Sequence, residues 1–331
     1  MLTLTPHPDN VGLATLIDGK HTRPIYFHPT KNTELRLEID DISTYNTQEF
    51  RDRFSLTRVQ AETIMNHITN DTEPDGALQK VFFKVKTFVN NALYTEMDLR
   101  SSDQIIQVDF PKGKDTWGEH AIYCGSSGSG KTFALASKVQ RNLDGKKRDR
   151  RKFFWVSAEF NKDKTLKTLK KDRYRYNFSG TDIGEQAFAL SQYESREEFF
   201  EKEVRNVVEQ LPPGSVLVVD DGLDSAIAGQ LRPYIAMLLR TARHDGLSVH
   251  YIVHSIRSAA WSQQAHNSVK YFVLFPRSQR GKIRAYLNTD IGLTMREARE
   301  AVQDFGDAGR VLHVRIHAPQ SLISEKLIRL I

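Results

Sequence analysis

The chain has 331 residues, 39% of them hydrophobic and 27% charged, with a formal net charge of +6 and one cysteine. This length suits one large or two medium domains; a lone cysteine rules out a disulfide framework and a cysteine-built zinc site. No apolar run approaches the roughly 18 residues of a membrane span and the N-terminus lacks a signal-peptide pattern, so a soluble intracellular protein without a membrane span is expected.

Residues 1–110 read as a separate α+β module. Leu13 to Ile17, then Asp18-Gly19, then Pro24 to Phe27 predict a hairpin. Leu35, Leu37 and Ile39 alternate with polar residues, as in a half-buried strand. Ala61, Ile64, Met65 and Ile68 share one helical face, and Leu78, Val81, Phe82, Val85, Phe88 and Val89 share another. Ile105 to Phe110 predicts a further strand, and Pro111 to Gly118 a connection to a second domain, 111–331.

That domain opens on the short apolar stretch His120 to Cys124, which leads into GSSGSGKT. All the fixed positions of G-x-x-x-x-G-K-[ST] are met by Gly125, Ser126, Ser127, Gly128, Ser129, Gly130, Lys131 and Thr132. After it, Leu135, Val139 and Leu143 recur at helical spacing until Gly145. Strand, glycine-rich turn and helix form the context a phosphate-binding loop requires. The glycines let backbone N–H groups turn inward on phosphate oxygens, and the helix start adds the positive end of its dipole. Lys131 carries a point charge to the β and γ phosphates, and Thr132 offers a hydroxyl to Mg²⁺. ATP and Mg²⁺ are therefore the expected cofactors. Cys124, ending an apolar strand, reads as a buried structural thiol.

From Glu119 onward, strand and helix patterns alternate, predicting an α/β domain with a mainly parallel sheet. Phe153 to Ser157 is its second strand, followed closely by Glu159. Ser195-x-x-Glu198 predicts a capping box. Val216 to Asp221, four apolar residues ending in two acids, follows the Walker B pattern. A buried parallel strand delivers a carboxylate to its C-terminal edge, so Asp220 is expected to hold Mg²⁺ and Asp221 to polarise the attacking water. Pro233 is placed in the first turn of the next helix, with Arg240 and Arg243 off its buried face. The strand Leu247 to Ser255 ends in polar His254, placed to contact phosphate or the lytic water. Val269 to Phe275 is a further strand and Met295 to Phe305 a helix; Val311, His313, Arg315 and His317 alternate along a last strand as a basic, solvent- or DNA-facing edge.

Basic residues cluster twice, at Lys146, Lys147, Arg148, Arg150, Arg151 and Lys152 and again from Lys162 to Arg173. Such clusters neutralise nucleic-acid phosphates and are the candidate contacts to a nucleic acid.

The stretch from Arg240 to Ser255, RTARHDGLSVHYIVHS, resembles the FtsK–HerA superfamily of P-loop ATPases, and most of all its viral branch, the genome-packaging ATPases of large and membrane-containing double-stranded DNA viruses. The likeness spans about Glu119 to His317. It implies a RecA-like (ASCE-type) core, a homo-oligomeric ring and ATP-driven translocation of double-stranded DNA. It also implies capsid or portal-vertex partners at a host-cell assembly site or virion vertex. Arg243 or Arg240 would match an arginine finger acting on a neighbour's ATP. Two positions depart from the superfamily pattern: His254 stands where glutamine is usual, and Asp221 where many members carry glutamate. If Asp221 does not reach the water, Glu159 is the reserve base. A cellular or conjugation translocase of the same superfamily, a P-loop small-molecule or nucleotide kinase, and a nucleotide-dependent scaffold are the alternatives.

Overall fold

The computed structural model describes residues 1–29, 48–70, 72–110, 118–222, 225–255 and 268–331, without the side chains of residues 49, 69 and 87–94. The strand expected at Leu35 to Ile39, most of the connection expected from Pro111, and the side chains of Phe88 and Val89 lie outside the described residues. The chain forms two compact units, Met1–Val108 with Ser321–Ile331, and Asp109–Gln320.

In the first unit, β1 (Leu2–Thr3), β2 (Val11–Asp18) and β3 (His21–Phe27) build an antiparallel sheet with the later strand β5 (Ile105–Gln107), in the order β1-β3-β2-β5. Asp18 pairs with His21 across the predicted turn, where Gly19 takes a left-handed φ of 54°. Helices α1 (Gln48–Phe54), α2 (Arg58–Thr69) and α3 (Gln79–Thr95) follow. A core of Phe50, Ala61, Ile64, Met65, Phe82 and Val85 joins them, burying the apolar faces predicted from helical spacing. Thr57 and Gln60 close a reciprocal capping box on α2. Next come β4 (Glu96–Asp98) and β5 (Ile105–Gln107).

The last residues of the chain also belong to this unit. β13 (Ser321–Ile323) pairs with β14 (Leu327–Leu330), and β14 pairs antiparallel with β4. Lys326 donates to the carbonyls of Ser102 and Gln104, 2.7 Å each, and Arg329 pairs with Glu96. Ser321–Ile331, which the sequence reading assigned to the second domain, thus folds with the first. Backbone pairing to β4, remote in sequence, decides that placement.

The second unit is built on β6 (Ala121–Cys124), β7 (Phe153–Ser157), β8 (Phe178–Asp182), β9 (Val216–Asp220), β10 (Ser248–Val253), β11 (Tyr271–Leu274) and β12 (Leu312–Arg315). They lie in the order β12-β11-β6-β10-β9-β7-β8. All neighbours from β11 to β8 are parallel, and β12 runs antiparallel to β11. β6, β7, β9, β10 and β11 are buried along their whole length, which is why their sequences are apolar runs rather than alternations.

The connecting helices are α4 (Lys131–Asp144), α5 (Glu185–Ala189), α6 (Arg196–Phe200), α7 (Asn206–Glu209), α8 (Ala228–Thr241), α9 (Arg280–Thr289) and α10 (Met295–Ala308). A π-helical turn, Glu201–Arg205, joins α6 to α7. Two details differ from expectation. Pro233 lies inside α8, because that helix begins at Ala228, earlier than the proline suggested. Ser195 caps the N–H of Glu198 at 3.1 Å, but Glu198 returns its carboxylate to the N–H of Glu194 rather than that of Ser195.

Strand β10 separates β6, which feeds the glycine-rich loop, from β9, which ends in Asp220. This interposed strand gives the second unit a RecA-like P-loop core. Every parallel strand presents its C-terminal end to the same edge, where ligands of open α/β sheets bind.

Candidate functional site

The glycine-rich loop leaves β6 and closes on the first turn of α4. Gly128 and Gly130 hold left-handed φ values of 75° and 97°, which an L side chain rarely adopts. Gly125 is required for space: a Cβ there would stand 2.5 Å from Ser129 Oγ and 3.0 Å from the Phe275 ring. Cys124, buried immediately before the loop, has its thiol pushed up to about 12 by burial, as suits a structural thiol.

Lys131 is 6% exposed, and its Nζ donates to the carbonyls of Gly125 at 2.9 Å and Ser126 at 3.0 Å. Burial lowers its pKa, against the opposing pull of the Asp221 and Asp220 carboxylates. Thr132 Oγ1 donates to Asp220 Oδ2 at 2.9 Å, joining the loop to the end of β9. Asp220 is 3% exposed, and its carboxyl is pushed up to about 7, chiefly by burial and then by the neighbouring Asp221 charge. A buried carboxylate beside a hydroxyl, short of compensating positive charge, is a hard-oxygen donor set that fits a divalent cation such as Mg²⁺.

Asp221 departs from the strand with a left-handed φ of 50°. This conformation is uncommon for a residue with a side chain, although aspartate tolerates it better than most. The following Gly222 permits the turn, since a Cβ there would meet Leu231 at 2.7 Å and Val219 at 2.9 Å. Asp221 Oδ1 lies 2.9 Å from His254 Nε2, and His254 Nδ1 lies 3.4 Å from Lys131 Nζ. The tautomer assigned by these neighbours has Nε2–H donating to the carboxylate and Nδ1 accepting from the lysine. Lys131, His254 and Asp221 therefore form one chain from three different elements, with Gln279 Nε2 donating to the His254 carbonyl at 3.2 Å.

Glu159 is exposed two residues beyond Ser157, which pairs in register with Asp220. It rises from the same sheet edge as Asp221.

Arg240 and Arg243 lie elsewhere. Both are exposed at the C-terminal end of α8; Arg240 Nε donates to the Ala236 carbonyl at 3.2 Å. Arg243 packs against Gly118, whose added Cβ would stand 2.8 Å from Arg243 Cα. Gly118 precedes β6 and the loop follows it, so a strand's length, roughly 13 Å for four residues, separates Arg243 from its own phosphate loop.

The basic clusters do not form uniform surfaces. Lys146, Lys147, Arg148 and Lys152 are exposed before β7, at the end of the sheet away from the loop. Arg151 is only 6% exposed, packs over the Phe110 ring and has burial lowering its pKa to about 10. In the second cluster, Lys170 folds back over the Phe160 ring to donate to the Phe160 carbonyl, and Arg173 pairs with Asp144 at 3.0 Å.

The basic edge expected along β12 is also uneven. Arg315 is 4% exposed and donates to the His317 and Ala318 carbonyls, and His313 faces Val273 across the ladder. Arg315 alone of that set is buried; His313 is half-buried, and His317 is exposed beyond the end of the strand. Among the described residues no group of three or more His, Cys, Asp or Glu side chains is placed to hold a metal ion, and no helix is long and apolar enough to cross a membrane.

Sequence reasoning did not single out Arg310. It occupies the turn between α10 and β12, and its Nη2 donates to the Ser129 carbonyl at 3.2 Å, 181 residues away in the chain. No motif or periodicity marks an arginine in such a turn.

Fold and site together define a RecA-like P-loop NTPase. No protein-family model and no curated protein matches the chain. Among solved structures it is similar to the genome packaging NTPase B204 of Sulfolobus turreted icosahedral virus 2 in complex with ATP-gammaS, at 13% identity over 64% of this chain and 96% of that one, TM-score 0.38. It is similar also to the pCW3 conjugation coupling protein TcpA, at 16% identity over 63% and 60%, TM-score 0.37. A third is the N-terminal domain of zonular occludens toxin from Neisseria meningitidis, at 18% identity over 63% and 95%, TM-score 0.33.

Proposed function

We propose that this chain is an ATPase that translocates double-stranded DNA, working as a homo-oligomeric ring, with viral genome packaging as its setting. The observation that carries the catalytic part is the meeting of Lys131, the Thr132–Asp220 pair and the Asp221–His254 pair at one sheet edge. Gly125 to Thr132 bind the triphosphate through backbone N–H groups. Lys131, whose amine donates to the Gly125 and Ser126 carbonyls and lies near the His254 imidazole, turns to the β and γ phosphates, which are stronger acceptors. Thr132 and Asp220 would hold Mg²⁺, which would offset the negative charge of the phosphates.

Asp221 orients the attacking water, with Glu159 as the reserve carboxylate. His254 touches both Asp221 and Lys131, so it is placed to link the state of the γ phosphate to its own strand. Arg243, or Arg240 beside it, is remote from its own phosphate loop and acts on a neighbouring subunit's nucleotide. The exposed lysines and arginines of Lys146 to Lys152, without Arg151, and the exposed members of Lys162 to Arg173 supply phosphate contacts to DNA. Capsid or portal-vertex proteins are the partners this setting requires.

The test is steady-state ATP hydrolysis with and without linear double-stranded DNA at two salt concentrations, with the assembled mass measured in parallel. Stimulation by duplex DNA that fades with salt, in an oligomer, supports the motor. Hydrolysis indifferent to nucleic acid, or phosphate transfer to a small-molecule acceptor, overturns it.

A further inference from the structure

Arg310 is the one exposed arginine seen lying against the glycine-rich loop among the described residues. It reaches the loop from the turn that joins α10 to β12, beside the sheet position next to β6 occupied by β11. Its Nη2 donates to the Ser129 carbonyl at 3.2 Å. The guanidinium fills the space where Gly130 lacks a Cβ: an added carbon there would stand 2.7 Å from Nη2 and 2.9 Å from Cζ. No carboxylate pairs with Arg310 among the described residues. A guanidinium carries five donors in a planar fork, and here one is engaged by a single neutral carbonyl.

Other arginines around this core have found partners. Arg141 pairs with Asp109 and Arg173 with Asp144, each an ion pair. Arg310 instead keeps an unneutralised charge beside the backbone that receives phosphate. Ser129 Oγ, in the same loop, is buried without a hydrogen-bond partner. The loop thus carries unspent donor capacity on the side away from Asp220 and Asp221.

We propose that Arg310 binds the nucleotide in cis, donating to an oxygen of its phosphate chain while its bond to Ser129 holds the loop open for that chain. This assignment rests on the nucleotide-binding reading of the loop. It gives the site two cations from one subunit, Lys131 inside the loop and Arg310 outside it, distinct from any arginine a neighbour contributes. It also ties the α10–β12 turn to nucleotide occupancy, because the same guanidinium touches both.

The experiment measures ADP and ATP affinity of the full chain, by a fluorescent-nucleotide titration, for wild type, Arg310→Ala, Arg310→Lys and Lys131→Ala. The melting temperature of each protein without nucleotide is taken alongside. Losing a charge-assisted hydrogen bond lowers affinity roughly 10- to 100-fold. Arg310→Ala is expected to weaken both nucleotides by that order with an unchanged nucleotide-free melting temperature, and Arg310→Lys to recover part of the loss. Unchanged affinity in Arg310→Ala overturns the proposal. So does a loss that tracks a lowered melting temperature and is no smaller in the lysine variant, which marks a purely structural role. Wild-type affinity in Lys131→Ala would instead sink the nucleotide-binding reading itself, whatever Arg310 does.

Discussion

Asp221 and His254 meet with Oδ1 and Nε2 2.9 Å apart, although 33 positions separate them in the chain. The contact forms because β9 and β10 are adjacent and parallel, with Asp220 and Ile252 in register, so each strand's exit residue reaches the same edge. The left-handed turn at Asp221 then sends its carboxylate back across β10.

Replacing Asp221 by asparagine preserves size and tolerance of positive φ, so the fold is expected to persist. Nucleotide binding should survive while single-turnover hydrolysis falls roughly 10²- to 10⁴-fold, the range for loss of a positioned general base. Glu159→Gln is the comparison. If it stops hydrolysis and Asp221→Asn does not, Glu159 is the base.

Lys131→Ala is expected to abolish nucleotide use, since the buried amine has no cationic substitute within the loop. Thr132→Ala removes the hydroxyl that meets Asp220. Its effect should appear as a raised Mg²⁺ requirement for hydrolysis, measured by titrating the metal at saturating nucleotide.

Arg243→Ala is expected to remove ATPase activity from assembled protein while leaving nucleotide affinity intact, as an arginine acting between subunits requires. Mixing it with wild type should depress activity more steeply than dilution alone. Full activity in the pure variant transfers the role to Arg240 or removes it from both.

The two groups of basic residues should separate by assay. Lys146→Ala, Lys147→Ala and Arg148→Ala change exposed side chains, and together are expected to weaken DNA stimulation and flatten its salt dependence, by about 0.9 in log–log slope per lost phosphate contact. Arg151→Ala removes a buried guanidinium stacked near Phe110 and should instead lower the melting temperature. DNA measurements and thermal unfolding on the same set of proteins check both.

Acid should destabilise the second unit through its inward histidines. Burial, with the Arg243 charge adding to it, lowers His120 to about 4, and burial holds His250 well below its ordinary value. His120 Nδ1 already accepts from the Val249 N–H at 3.0 Å, which fits the neutral ring. The unfolded chain takes up a proton near 6.5 that the folded ring refuses. Stability is therefore full above 6.5 and falls as pH drops toward about 4, by ~1.4 kcal/mol per pH unit for each such histidine. Lys138, lowered to about 7 chiefly by burial, loses stability in the same direction between its unfolded value of 10.5 and about 7. Urea unfolding across pH should show both windows, and His250→Phe should shallow the acid one.

The octapeptide from Gly125 to Thr132 was legible because its chemistry is local: consecutive residues build the loop, and the flanking apolar spacing supplies its strand and helix. The buried parallel strand ending in Asp220 and Asp221 was legible for a related reason, since burial on both faces leaves an unbroken apolar run before the acids. Helix faces in the first unit followed from periodicity alone. Tertiary structure alone decided which side chains meet. It set His254 between Lys131 and Asp221, turned Arg151 and Arg315 inward from stretches that read as basic surface, and carried Ser321–Ile331 back to β4. It also brought Arg310 to Ser129 across 181 residues. Composition registers a charge but not the face on which it lands. That is settled by strand order and register, which are set by packing between segments far apart in the chain.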